Sequence, residues 1–184
     1  MVIWITGITA SGKTSLGKAL LEACKIMGVQ NIIHLDGDEL RKRPDWVKGH
    51  GIEDRFKSFQ KIIDVTNWEL EQGNVVIVST VSHKASMRLE ARDRLSNFYE
   101  VYLRCSSEEC EKRDFKNFYS RAKNQSISDQ KEIFPGVTEA YEESKNPEMV
   151  IDTEHDSLEH SKAKLLKYFM PLIQEYSNTF TGVK

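Results

Sequence analysis

Eight residues near the start, Gly7-Ile8-Thr9-Ala10-Ser11-Gly12-Lys13-Thr14, constrain the fold of this chain more than any others. They fit the pattern G-x-x-x-x-G-K-S/T at every fixed position. Upstream, Val2-Ile3-Trp4-Ile5-Thr6 is a short apolar, β-branched run that reads as a buried strand. Downstream, Leu16, Ala19, Leu20 and Cys24 recur on one helical face until Gly28 stops the pattern. Between a strand and a helix, such a loop turns its backbone N–H groups inward around phosphate, and the helix N-terminus adds partial positive charge. Gly7, Ala10, Ser11, Gly12, Lys13, Thr14 and Ser15 are therefore the candidate cradle for a nucleoside triphosphate, expected to be ATP. Lys13 should reach the β- and γ-phosphates, and the Thr14 hydroxyl should ligate Mg2+.

Further strands are expected at residues 31–35, 75–79, 98–103 and 149–151, with the most apolar, 75–79, at the middle of a sheet. Helices are expected at 54–72, where Phe56, Phe59, Ile62, Ile63 and Thr66 share a face, and at 106–113, capped by Ser106. A closing helix over 157–170 should end or kink at Pro171. Residues 41–51 read as a loop, and 116–131 as a polar segment with little periodicity. This alternation predicts an α/β fold, a central parallel sheet with helices on both faces. At 184 residues there is room for one core, so residues 1–184 are expected to form a single domain. A formal charge of −2 gives no electrostatic reason to expect nucleic acid or an anionic membrane as partner. No apolar run is long enough to span a bilayer, and Met1 leads straight into the first strand rather than into a secretory signal. Cys24, Cys105 and Cys110 show no metal-ligand spacing and read as reduced, apolar residues, so a cytoplasmic setting is expected.

A guanine-nucleotide switch would carry N-K-x-D and D-x-x-G motifs, and neither occurs. What remains is a kinase of a small molecule or nucleotide, which needs a base for the acceptor and a lid against water. Asp36-Gly37-Asp38 directly follows the second strand, where carboxylates point into the ligand crevice of a parallel sheet. Asp36 is the candidate proton acceptor or Mg2+ organiser; an ordinary Asp-Gly turn is the plain alternative. Arg41 and Arg55 are candidate anion clamps, against the alternative of solvated surface charges. Lys116, Arg121 and Lys123 suit a basic lid closing over a transferring phosphate, against a merely solvated loop. Phe134, beside Pro135-Gly136, can stack on a base, a contact worth about 1–3 kcal/mol.

Several runs together resemble the adenylylsulfate (APS) kinase family. They are Leu35-Asp36-Gly37-Asp38-Glu39-Leu40-Arg41, Asp54-Arg55, Arg113-Asp114-Phe115-Lys116-Asn117-Phe118-Tyr119, Phe134-Pro135-Gly136-Val137-Thr138-Glu139-Ala140-Tyr141-Glu142 and Pro147-Glu148. They fall in the family's order and cover most of the chain from Ile3 to Thr153. The resemblance implies a P-loop kinase fold with 116–131 as a lid-like segment, usually dimeric, that moves the ATP γ-phosphoryl group to the 3′-hydroxyl of a nucleotide. It implies Lys13, Asp36 and Lys116 as catalytic residues and Arg121 near the ATP base. Asp38, Arg41, Arg55 and Phe134 would hold the acceptor, with His50, Ser58, Val81 and Ser82 at substrate-binding positions.

The departures fall on the acceptor side. Where the family reads G-F-S-x-x-D-R-x-x-N-I-R-R, this chain has His50 for an aromatic that stacks on adenine, Ser58 for an asparagine and Gln60 for an arginine. A Ser-Pro pair followed by arginines is replaced by Ser82-His83-Lys84-Ala85-Ser86. A smaller base needs less stacking surface, and a phosphoramidate nitrogen needs fewer arginines than a sulfate. These changes tip the expected acceptor slightly toward cytidine diphosphoramidate, as in the capsule-pathway kinases that resemble this family, with APS as the alternative. A sugar-acid kinase and a non-catalytic nucleotide-binding regulator are more distant readings.

Overall fold

Every residue of strands β1 (Val2–Thr6) and β3 (Val75–Ser79) is buried, so the sheet must be covered on both faces. A computed structural model of the protein describes residues 1–49, 51–114, 117–124 and 133–181. Its sheet has five parallel strands in the order β2-β3-β1-β4-β5, with β2 at Ile32–Asp36, β4 at Phe98–Arg104 and β5 at Met149–Asp152. The expected middle strand, 75–79, is corrected to β1. Apolarity alone cannot rank two strands that are both covered on each face.

Side-chain alternation sorts the core into two layers. Ile3, Ile5, Val75 and Ile77 pack with Leu16, Leu20 and Cys24 of α1 (Lys13–Ile26) and with Leu165, Phe169 and Ile173 of α7 (Leu158–Thr181). Val2, Trp4, Val76 and Val78 point the other way, onto Phe59, Ile62 and Ile63 of α3 (Ile52–Glu71) and Ala91 of α4 (Ala85–Arg94). The Trp4 ring meets Phe59 edge-on at 6.2 Å. Each such fully buried side chain contributes about 1.5–3 kcal/mol.

Two helices differ from the reading of the sequence. α7 passes through Pro171 to Thr181 instead of stopping there. Leu165, Phe169 and Ile173 continue one buried stripe across the proline, and their burial offsets its cost of about 3 kcal/mol. α4 was not anticipated, because one of its core-facing positions is taken by an arginine, Arg88, which hides the apolar period. Two short helices, α2 (Gly37–Leu40) and α6 (Phe118–Lys123), lie in stretches with too few turns to show a period, and α5 spans Ser107–Lys112 close to expectation. Among the described residues, no helix is long and apolar enough to cross a membrane.

From β1 the chain moves outward to β2, returns to β3, then crosses to β4 on the far side of β1. Thr6, Asp36 and Ser79 end their strands side by side at the C-terminal edge, the place where a parallel sheet opens a ligand crevice.

Candidate active site

The loop after β1 closes because Gly7 has no side chain. At φ +149°, a Cβ there would lie 2.7 Å from the Leu103 carbonyl oxygen and 2.8 Å from Ser11 Oγ. Ser11 N–H then donates to the Ile8 carbonyl at 3.2 Å, and Leu16 N–H to Gly12 O at 3.0 Å, starting α1. Lys13 Nζ reaches back across the loop to Ile8 O at 2.6 Å. Around Gly12, where a Cβ would meet nothing within 4 Å, the loop stands open for phosphate oxygens.

At the mouth of this cradle the Thr14 hydroxyl donates to Asp36 Oδ2 at 2.6 Å. Asp36 is 6% exposed. Its other oxygen accepts the N–H groups of Asp38 (2.9 Å) and Glu39 (3.2 Å), capping α2. The carboxylate is thus aimed from two sides. A hydroxyl beside a carboxylate is a hard-oxygen donor pair that suits Mg2+, an ion that keeps water and phosphate as its remaining ligands.

Behind the cradle, His34 Nε2 is 2.8 Å from Ser79 Oγ, which donates to the Lys13 carbonyl at 3.2 Å. Because Ser79 spends its proton on Lys13, His34 Nε2 is the donor in that pair. Burial pushes the His34 pKa down, with Asp36 acting against it. A relay from β2 through β3 therefore sets the first turn of α1. Gly17 leaves room for it, since a Cβ there would lie 2.5 Å from His34 Nε2.

A cleft of about 700 Å³ runs from the cradle to a second group of side chains. Of the residues expected from sequence, Ala10, Gly12, Lys13, Thr14, Ser15, Asp36, Asp38, Arg41, Arg55, Ser58, Val81, Ser82 and Phe134 line it. Gly7 and Ser11 shape the loop from behind. Arg121 lies over the Phe118 ring at 4.8 Å, and Phe118 is the one that faces the cleft. His50 and Lys116, expected at the acceptor and on the lid, lie outside the described residues, as does half of 116–131.

In the second group of side chains, Arg41 Nη1 donates to Gly49 O at 3.0 Å. Burial lowers its pKa, opposed by Asp38 and Asp54. Arg55 donates to the carbonyl of Ile133, next to the buried Phe134. Phe134 N–H donates to Thr138 Oγ1 at 2.9 Å, fixing the turn that presents the ring. Ser58 is 1% exposed, and its Oγ accepts the Trp46 indole N–H at 3.0 Å. Gln60 does not reach the cleft: it donates to Glu90 at 2.8 Å and accepts from Arg94, tying α3 to α4.

The structure adds residues to which the sequence assigned no role in the site. Thr80, His83, Arg113, Asp114 and Phe118 also line the cleft. His83 and Lys84 are bound to Glu139 at 3.0 and 2.5 Å. Arg88, buried in α4, holds Ser82 O at 2.7 Å and Glu142 O at 2.5 Å and lies 3.2 Å from Glu100. The sequence hinted at this network only through the unusual Ser82-His83-Lys84 run and the family-like run that ends at Glu142.

The family model for adenylylsulphate kinase matches residues 1–152. An adenylyl-sulfate kinase of Staphylococcus epidermidis is 36% identical, over 91% of this chain and 82% of its own length. One from Picosynechococcus is 35% identical, over 91% and 92%. Among solved structures, the Mycobacterium tuberculosis APS kinase in complex with AMPPNP and APS superposes with a TM-score of 0.77 at 25% identity, covering 95% of this chain and 96% of that one. These relatives overturn the tilt toward cytidine diphosphoramidate, since their names specify adenylyl-sulfate. The geometry explains why the substitutions misled. Gln60 serves the contact between two helices, and the Ser58 oxygen also accepts the Trp46 indole N–H.

Proposed function

The chain belongs to the adenylylsulphate kinase family, phosphotransferases acting on a nucleotide hydroxyl, and we propose that it transfers the γ-phosphoryl group of ATP to the 3′-hydroxyl of APS. The observation that carries this reading is the 2.6 Å contact between Thr14 and Asp36, which joins a phosphate cradle to a carboxylate inside one continuous cleft. In this reading Gly7, Ala10, Ser11, Gly12, Lys13, Thr14 and Ser15 hold the ATP phosphates. Lys13 would shift from Ile8 O to the bridging phosphate oxygens. Thr14 and Asp36 would hold Mg2+, which supplies charge neutralisation when bound.

Asp36 would accept the proton of the attacking hydroxyl, which the two N–H groups on its other oxygen keep aimed. Asp38, Arg41, Arg55, Ser58, Val81 and Ser82 would position the nucleotide, with His50 beside them and Phe134 against its base. Lys116 and Arg121 would belong to a lid that excludes water from the transfer. Catalysis of this kind is mostly positioning and charge neutralisation. A single kinase domain over residues 1–184, a homodimer and a cytoplasmic setting complete the proposal; sedimentation reads the assembly. The test is an initial-rate assay with purified protein, ATP and Mg2+, offering APS and a sugar acid in parallel. Rapid turnover of APS alone supports the reading, and comparable inactivity toward APS sinks it.

A further inference from the structure

On the acceptor side of the cleft, two neighbouring residues carry hydrogen-bonding groups that the fold does not use. Ser82 sits at φ +41°, outside the usual range for a residue with a side chain, and is 4% exposed. Its Oγ has no hydrogen-bond partner among the described residues. His83 is 6% exposed. Its Nε2 lies 3.0 Å from Glu139 Oε2, while Nδ1 makes no hydrogen bond to any described residue. Both line the cleft that contains Asp36, Arg55 and Phe134. Backbone strain and a buried hydroxyl without a partner, both found at Ser82, cost about 1–3 kcal/mol each and gather where a ligand repays them.

The backbone is pinned at both residues. Arg88 Nη1 donates to Ser82 O at 2.7 Å, and Glu142 N–H donates to His83 O at 2.9 Å. Glu139 is also bound by Lys84 at 2.5 Å, and that bond is the main cause of its lowered pKa. An ionised carboxylate only accepts, so the proton of the pair is on His83 Nε2. Burial lowers the His83 pKa, assisted by Arg55 and Lys84 and opposed by Glu139. The ring is therefore neutral near pH 7, with a bare lone pair at Nδ1.

We infer that His83 is a specificity-determining residue for the acceptor: locked by Glu139, its Nδ1 accepts a hydrogen bond from an N–H or O–H donor of the acceptor nucleotide. The donor is an exocyclic amine of the base or the 2′-hydroxyl of the ribose. This rests on the nucleotide-acceptor reading of the same cleft. A sugar or base lacking the donor leaves Nδ1 unpaired and is disfavoured.

The experiment measures binding of adenosine, inosine and 2′-deoxyadenosine 5′-monophosphates by calorimetry, with a non-hydrolysable ATP analogue present, alongside turnover of APS. One neutral hydrogen bond predicts that the wild type binds the probe lacking the donor about five- to tenfold more weakly than adenosine monophosphate. Loss with the inosine compound identifies the amine, and loss with the deoxy compound identifies the ribose. In His83→Phe that ratio should fall to about one, with KM for ATP unchanged. His83→Gln keeps only a donor for Glu139, whereas His83→Asn places a carbonyl oxygen near the Nδ1 position. Selectivity should return in part with asparagine and not with glutamine; a purely structural role gives the reverse. Equal binding of all three probes by the wild type, or an unchanged ratio in His83→Phe, overturns the assignment of His83. Absence of APS turnover by the wild type overturns the acceptor identity instead, and the binding ratios still decide the role of His83.

Discussion

Replacing Asp36 by asparagine separates its structural task from its chemical one. Oδ1 caps α2 through the N–H groups of Asp38 and Glu39, and Oδ2 accepts the Thr14 hydroxyl at 2.6 Å. Asparagine caps helices about as well as aspartate, and its amide nitrogen can donate to Thr14 with the polarity reversed. Stability should therefore change by less than about 0.5 kcal/mol. Asp36→Ala removes the cap, about 1 kcal/mol, and strands the Thr14 hydroxyl, about 1–3 kcal/mol. For a chain of this length, roughly 2–4 kcal/mol corresponds to a fall in Tm of about 5–12 °C. Both variants lose the carboxylate that would take the proton, and turnover should drop about 10²- to 10⁴-fold in each. Scanning calorimetry without nucleotide reads the first effect, and single-turnover phosphoryl transfer reads the second. Near-normal turnover in Asp36→Asn, or a Tm loss equal to that of alanine, would refute this division of labour.

Gly17→Ala should cost about 1–3 kcal/mol instead of giving the usual helical gain, because its Cβ would crowd His34 Nε2 and Ser79 Oγ. It should also raise KM for ATP by disturbing the bond to the Lys13 carbonyl, whereas unchanged stability and KM would show the relay to be incidental. Arg88→Met breaks a buried pair with Glu100 and releases the Ser82 and Glu142 carbonyls, so denaturant unfolding should show a loss of about 3–5 kcal/mol. A loss below about 1 kcal/mol would contradict it. Burial holds His34 and His83 below their ordinary pKa of 6.5, so on acidification the unfolded chain takes up protons before the folded one. Urea midpoints should therefore fall as pH drops below about 7, with further loss under about 4.5 as Glu139 and Glu142 protonate. A midpoint that rises between pH 7 and 5.5 would contradict these histidine environments.

The donor half of the site was legible because its chemistry is local: one loop pattern, a strand before it and a helix after. Asp36 was legible for a similar reason, since it ends an apolar strand at the sheet edge that collects ligands. The rest of the cleft depends on contacts between separate parts of the chain, such as His83 with Glu139 and Ser58 with Trp46, which no local pattern reports. Gln60 shows the hazard directly. Its place in the motif suggested a substrate contact, yet a position in a helix faces the cleft or the neighbouring helix according to packing that one sequence does not disclose. The fold followed the same rule. Strands written as short apolar runs were evident, whereas α4 was masked by the buried Arg88 and α7 outlasted Pro171 through its contacts with the sheet.

The central claim is tested most directly by locating the transferred phosphate. Purified protein, Mg2+, APS and ATP labelled at the γ-position should yield a labelled nucleotide, and ³¹P–¹H coupling to the ribose 3′-proton should place the new phosphate on the 3′-oxygen. Label that stays in ATP, passes only to water as inorganic phosphate, or appears anywhere other than the 3′-position would contradict the account.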